Sequence, residues 1–355
     1  MKRLLFLLTL TFFVCLSPCS GQTERQDTTS AATDTLQHDF GLFSSDRILR
    51  LSLKFDIGAY MRKKPKEEYM QALLTYYTDD NDSITKEVKI KSRGISRNSI
   101  CNFPPINLNL KKAGFDSTEI GGIDKIKVVT HCNAGTEAYL FKEFLIYRMF
   151  NELTDLSFRV RLAVIDYTDT RRTGRIIHSY VFLIEPLSML NERTGTQEVD
   201  NLKLSQKFII PEIMDRISIF NYMIGNTDWS VPGQHNIKIV SLNDPSYPGL
   251  GGAVPYDFDY SGLVSTQYAL PAEPLGLSSV RERRYLGACR SDGEFTARLK
   301  QFIEKKAIFY KIIDDFPLLN EKDKKRIKGY LDGFYLELEK NTIILSFKRE
   351  CMSGL

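Results

Sequence analysis

The residues best suited to chemistry lie in two stretches of the second half of the chain. Asp228 follows an apolar run that ends at a glycine, and Asn236 precedes a short alternating apolar segment. Asp257 and Asp259 then stand in a stretch rich in aromatic residues. Ionised carboxylates in apolar surroundings are costly to bury unless a cation or hydrogen-bond donors meet them. We therefore expect these side chains to bind something together.

Phosphoryl transfer needs this set of residue types in this order. One carboxylate, here Asp228, orients the hydroxyl nucleophile, while an amide and further carboxylates, here Asn236, Asp257 and Asp259, hold a metal ion on the phosphates. Two structural alternatives exist for the same residues. Asp228 could cap a turn after its glycine, and the pair at 257 and 259 could hold a structural calcium ion.

Other functions find less support in the composition. The sequence contains no G-x-S-x-G and no H-E-x-x-H pattern, and only four histidines. Asp228 and Asp257 could imitate the carboxylate pair of a glycosidase, but nothing favours that reaction. The net charge of +4, less Lys2 and Arg3 of a removable N-terminus, leaves about +2. Without a basic run, this balance predicts no nucleic-acid binding.

The elements that must position these residues can be read from hydrophobic periodicity. Leu49, Leu51, Leu53 and Phe55 alternate with polar residues, which predicts a strand. Further strands are predicted at 70–77, 87–92 after a turn at 79–82, 106–110, 125–130, 158–167 and 178–185. Helices are predicted at 137–153, 209–224, 294–316 and 321–340. This order predicts an α+β protein with a strand-rich first lobe, a mainly helical second lobe and a cleft between them.

The N-terminus predicts export. Residues 1–21 form a signal peptide, because a positive start precedes an apolar run too short to cross a bilayer of roughly 30 Å. A lipid anchor on Cys19 is the competing interpretation. Residues 22–44 form a flexible polar leader, and no later stretch is long and apolar enough for a transmembrane span. The protein is expected to be periplasmic, outer-membrane-associated or secreted.

Four cysteines remain after removal of the signal peptide, at positions 101, 132, 289 and 351. In an oxidising compartment they allow three disulfide pairings, among which the sequence does not choose. We prefer Cys101 with Cys132. The spacings are unlike the C-x-x-C pairs of a zinc site.

Seven pieces of the chain together resemble the spore-coat CotH-type atypical protein kinases, and especially secreted bacterial relatives of that family. The resemblance covers about residues 45–345. The pieces are SRGISR (92–97), CNFPPINLNLKK (101–112), KVVTHC (127–132), LIYRMFNELTDLSFRVRL (145–162), YVFLIE (180–185), IGNTDWSVPGQHN (224–236) and PYDFDYSG (255–262).

The resemblance implies a two-lobed kinase-like fold, with an N-lobe at about 45–186 and a C-lobe at about 187–345. Asp228 matches the catalytic aspartate of the family, Asn236 and Asp257 match its metal ligands, and Asp259 assists them. A conventional kinase spaces its catalytic aspartate and its asparagine five residues apart, whereas here Asp228 and Asn236 are eight residues apart. The extra segment 229–233 must therefore bulge if both side chains are to face one phosphate.

The nucleotide is expected to contact the first lobe. Lys127 and Glu143 are the expected ion pair near the phosphates, with Arg93 and Lys111 as rivals, and the strand that ends at Glu185 would receive adenine through its backbone.

These expectations describe an exported kinase that uses ATP with Mg²⁺ or Mn²⁺ and transfers the γ-phosphoryl group to a protein or small-molecule hydroxyl. The alternative is a catalytically inactive, kinase-like envelope or surface interaction protein with a structural cation site.

Overall fold

The computed structural model describes residues 41–78, 82–172, 174, 176–200 and 204–351. The predicted signal peptide, Cys19, most of the predicted leader and residues 79–81 of the predicted turn lie outside the described residues. Within them, no helix has the length and apolar character needed to cross a membrane.

Seven strands form a closed barrel. They are β1 Leu49–Phe55, β2 Met70–Tyr77, β3 Ser83–Ser92, β4 Ile106–Asn109, β5 Lys125–Val129, β6 Val160–Asp169 and β7 Ile176–Ile184. Their order around the barrel is β1-β2-β3-β4-β5-β7-β6. Neighbouring strands are antiparallel, except that β1 runs parallel to β6 from the Leu49–Ala163 pair to the Phe55–Asp169 pair. This parallel pairing closes the sheet.

The barrel interior follows from the alternation in the sequence. Along β1, Leu49, Leu51, Leu53 and Phe55 are buried, while the charged residues between them are exposed. Successive side chains of a strand point to opposite faces, so one face of β1 points into the barrel. The corresponding residues of the other six strands complete this core.

The described residues also form nine helices and a second, small sheet. The helices are α1 Gly41–Ser44, α2 Ile57–Lys63, α3 Ser96–Ile100, α4 Glu137–Asn151, α5 Leu187–Thr194, α6 Pro211–Ile224, α7 Asp292–Asp314, α8 Glu321–Glu339 and α9 Ile343–Glu350. The sheet has the order β10-β9-β8, from β8 Gln197–Glu198, β9 Ile237–Ser241 and β10 Gly251–Pro255.

The predicted two-lobed kinase-like fold, with a strand-rich N-lobe and a helical C-lobe, is wrong. The strands close into a mixed barrel, and α4 belongs to the same hydrophobic core as α6, α7, α8 and α9. Leu162 and Phe182 contribute to that second core, while their neighbours Ala163 and Val181 face the barrel core. β6 and β7 are thus buried on both faces and join the two cores, which leaves no cleft between separate lobes along these strands.

Both disulfides join distant loops. Cys101 is bonded to Cys132, which confirms the preferred pairing, and Cys289 is bonded to Cys351. The first bond connects the end of α3 to the segment between β5 and α4. The second connects the segment before α7 to the end of α9.

Candidate functional site

A polar cavity of about 410 Å³ lies where the barrel meets the small sheet. Six residues singled out in the sequence line it, although they come from four separate segments of the chain: Arg93, Lys127, Asp228, Asn236, Asp257 and Asp259. The folded chain therefore brings together the residues that the phosphoryl-transfer hypothesis requires.

The extra segment between Asp228 and Asn236 folds back on itself, as its length requires. Ser230 and His235 exchange two backbone hydrogen bonds of 3.0 Å, so the chain turns back on itself. Asn236 Nδ2 consequently donates to Asp228 Oδ2 at 3.0 Å and to the Asp228 carbonyl at 2.8 Å. His235 Nε2 donates to Asp228 Oδ1 at 2.8 Å. Both carboxylate oxygens of Asp228 are thus held in a fixed orientation.

Gly225 ends α6 and starts the loop that carries Asp228. Its φ of +66° is in the left-handed region, and a Cβ there would lie 2.0 Å from Tyr330 Oη, so both conformation and space require glycine. The Gly225 carbonyl accepts from the Gly262 N–H at 2.9 Å. This bond joins the Asp228 loop to the end of the loop that carries Asp257.

Three non-glycine residues that line the cavity have a left-handed backbone conformation. Gln234, Asn236 and Asp257 have φ values of +44°, +51° and +63°, and all three line it. Asn and Asp adopt this conformation more readily than most residues, but it still costs energy that the surrounding structure must balance. Here the balance includes hydrogen bonds from the Tyr256 N–H to the Asn236 carbonyl at 3.0 Å and from the Asp257 N–H to Tyr147 Oη at 2.8 Å.

Helix α4 supplies two buried side chains to the site. Glu143 and Tyr147 are one helical turn apart and so lie on one face of the helix. Tyr147 holds the Asp257 backbone, and Glu143 approaches the aspartates themselves. Glu143, Asp257 and Asp259 each offer an oxygen, and these oxygens all lie within 4.8 Å of one another. We call these three residues the acidic cluster.

Arg97, which was not among the predicted site residues, is the cation that contacts the acidic cluster. Its Nε donates to Asp259 Oδ2 at 2.8 Å, and its Nη2 donates to Glu143 Oε2. Tyr268 Oη also donates to Asp259 Oδ2, at 2.8 Å. The sequence signal for Arg97 is its presence in the SRGISR segment, in which Arg93 is the predicted site residue. Glu143 therefore pairs with Arg97 and not, as expected, with Lys127.

Burial is the largest influence on the pKa values of Glu143 and Asp257. It raises the pKa of Glu143 more than Arg97 lowers it, and it also raises the pKa of Asp257, with a further contribution from Asp259. For Arg97, burial opposes the charge, but Asp259 and Glu143 outweigh it and raise the pKa.

The same cluster suits a hard divalent cation. Its donor atoms are all carboxylate oxygens, and Glu143 Oε1 is buried without a hydrogen-bond partner among the described residues. A bound cation would satisfy this oxygen.

Lys127 provides a second cation to the cavity. Burial, with a smaller contribution from Arg93, lowers its pKa to about 8. Its Nζ lies 5.1 Å from the centre of the Tyr256 ring, and it makes no ion pair within the described part of the chain. Lys127 and Arg93 are thus placed to meet an anion in the cavity.

Two predicted nucleotide-contacting residues lie elsewhere. Lys111 is exposed and faces Asp124 at 3.8 Å. Glu185 is buried in bonds to Arg193 and to the Arg159 N–H. The part of β7 that leads to Glu185, residues 182–184, is paired with β5 on one side and β6 on the other, so its backbone offers no free edge to adenine.

No protein-family model matches this chain, and no curated protein matches it.

Proposed function

We propose that this protein is an exported, metal-dependent phosphotransferase of the CotH type in its chemistry, which transfers the γ-phosphoryl group of ATP to a protein or small-molecule hydroxyl. One observation carries the proposal: Asp228, Asn236 and the acidic cluster converge with Lys127 and Arg93 on a single polar cavity.

Asp228 is the proposed catalytic residue. Its carboxylate oxygens accept from His235 and Asn236, which fix its orientation towards the cavity, and about a third of its side chain is exposed. A carboxylate held in this way can orient an acceptor hydroxyl and accept its proton as the phosphoryl group moves. The fixed orientation matters because most of the catalysis in phosphoryl transfer comes from positioning and electrostatics.

The acidic cluster and Asn236 are the proposed ligands of Mg²⁺ or Mn²⁺. Asn236 uses its amide nitrogen on Asp228, which leaves Oδ1 as its acceptor. A divalent cation at such a site neutralises the charge of nucleotide phosphates. Lys127 and Arg93 would bind the remaining phosphate oxygens, one as a compact ammonium and the other as a planar guanidinium.

The proposed location is an oxidising compartment outside the cytoplasm. The two disulfides support this, because such bonds persist where thiols are not kept reduced.

Phosphoryl incorporation from labelled ATP tests the function. We would express the protein with its disulfides formed and supply Mg²⁺ or Mn²⁺ with generic hydroxyl acceptors, and also score autophosphorylation. Asp228→Asn and Asp257→Asn should each lower incorporation by about a hundredfold or more. Asp292→Asn, an exposed carboxylate paired with Lys348 on the helical side, should leave incorporation unchanged. No label with either metal, together with no ATP-dependent rise in melting temperature, would reject the proposal.

A catalytically inactive protein with a structural cation site is the second candidate. The observation in its favour is that Arg97 already forms ion pairs with two of the three carboxylates, as a purely structural network would. Ca²⁺ alone should then raise the melting temperature as much as ATP with Mg²⁺. A phosphotransferase should instead respond most to nucleotide and metal together.

A further inference from the structure

We propose that Arg97 is a resident counter-cation of the acidic cluster, which keeps free divalent cations weakly bound and reserves tight binding for the metal–nucleotide complex. The inference rests on the proposed function in one respect, namely that the acidic cluster is where the metal binds. It adds a positioning residue that acts through Glu143 and Asp259 and assigns it a measurable effect.

The first support for this proposal is that Arg97 contacts only part of each carboxylate with which it pairs. Its guanidinium contacts Glu143 Oε2 and Asp259 Oδ2, one oxygen of each carboxylate. Glu143 Oε1 has no hydrogen-bond partner in the part of the chain that the structure describes, although the residue is fully buried. Arg97 therefore holds each of the two carboxylates through one of its oxygens. The other oxygen of Glu143 remains able to bind a metal ion.

The second support is charge. With a metal bound, all three carboxylates would be ionised and carry −3. Arg97 would reduce this to −2, so a single divalent cation would complete neutrality. An incoming cation is repelled by a guanidinium only one carboxylate away, and this repulsion is strong because Arg97 and Glu143 are buried. Nucleotide phosphates bring negative charge of their own and would offset the repulsion.

The third support is that the surrounding structure holds Arg97 in place beside the acidic cluster. It lies on α3, its carbonyl accepts from the Cys101 N–H at 2.9 Å, and Cys101 is bonded to Cys132. Only 10% of its side chain is exposed. The guanidinium is therefore a fixed part of the cluster and not a mobile surface group.

Binding of Mn²⁺ without nucleotide tests this, measured by the loss of the free-ion electron paramagnetic resonance signal at constant pH. Arg97→Gln removes the charge and should tighten the Mn²⁺ dissociation constant by roughly tenfold or more. Arg97→Lys keeps the charge but cannot bridge both carboxylates, and should stay within about threefold of the wild type.

The matched control is Arg298→Gln. Arg298 likewise bridges two carboxylates, Glu212 and Asp215, but the three lie outside the cavity lining. This variant should bind Mn²⁺ like the wild type. Arg97→Gln that folds and binds Mn²⁺ no more tightly than the wild type overturns the proposal. If Arg97→Gln does not fold, Arg97→Lys still decides, because tenfold tighter binding by that variant would show that the charge is not what excludes the metal.

The outcome is separable from that of the proposed function. A gain of Mn²⁺ binding in Arg97→Gln, lost again on adding Asp257→Asn, supports the role of Arg97 even if no phosphoryl transfer is found. Phosphoryl transfer by the wild type without a gain in Arg97→Gln supports the function and rejects this role.

Discussion

Lys127 faces the cavity, and its burial disfavours the charged form of its side-chain amine. Its pKa, lowered to about 8, lies below the ordinary lysine value of 10.5. Between these two values the folded protein has released a proton that the unfolded chain still binds, so this residue makes stability rise with pH across that window. Below about pH 8 the buried charge costs stability, and an anion bound in the cavity would offset this cost.

The pH dependence of nucleotide binding should reveal this charge. The ATP-dependent rise in melting temperature with Mg²⁺ should shrink between pH 7 and pH 9 as Lys127 loses its proton. Lys127→Arg, which stays charged across this range, should retain the rise at pH 9, and Lys127→Met should lack most of it at both values. An equal loss in Lys127→Arg would assign the pH dependence to another group.

Short elements that carry site residues depend on cross-links to hold them. Helix α3 has only five residues and no side-chain cap at its N-terminus, so it has little stability of its own. The Cys101–Cys132 bond and a hydrogen bond of 3.0 Å from the Phe103 N–H to the Cys132 carbonyl attach its end to the segment before α4. The same attachment keeps Arg97 beside Glu143.

Removal of each disulfide in turn should distinguish an effect on the stability of the protein from an effect on the geometry of the site. The bonds close loops of 31 and 62 residues, so each double Cys→Ser variant should lose about 4 kcal/mol in urea unfolding. At a temperature where both variants are folded, only Cys101→Ser/Cys132→Ser should weaken Mg²⁺–ATP binding, by about tenfold or more in calorimetry. Equal weakening in Cys289→Ser/Cys351→Ser would mean that α3 is positioned by other contacts.

The molecule as a whole is joined through β6 and β7. One face of these strands belongs to the barrel core and the other to the core beneath the helices. A substitution that destabilises either core should therefore destabilise the other as well, because neither core can lose these strands and remain packed. Trp229, the single tryptophan, is buried in the second core and reports on it.

A cavity made inside the barrel tests this coupling. Leu53→Ala, at a residue 1% exposed, should cost about 2–5 kcal/mol. The urea midpoints followed by Trp229 fluorescence and by far-ultraviolet circular dichroism should fall together. Leu73→Ala, at a residue 38% exposed, should cost less than about 1 kcal/mol. A shift in circular dichroism alone would show that the barrel unfolds as a separate unit.

Local chemistry and periodicity were enough to predict most elements and much of the site. The alternation of Leu49 to Phe55 predicted β1, because a half-buried strand needs an apolar residue at every second position. The order of Asp228, Asn236 and Asp257 indicated a common site, because the short β9–β10 pairing returns the chain to the same place. These features depend on neighbours in sequence, so the sequence by itself determined them.

Tertiary structure decided what depends on distant pairing. The closure of the barrel joins β1 to β6 across more than a hundred residues, and periodicity carries no information on which strands become neighbours. Arg97 meets Glu143 and Asp259 across separations of 46 and 162 residues. Nothing local distinguishes it from Arg93 in the same segment. Its role follows only from the folded chain, because buried carboxylates require a cation and this is the one that the fold places beside them.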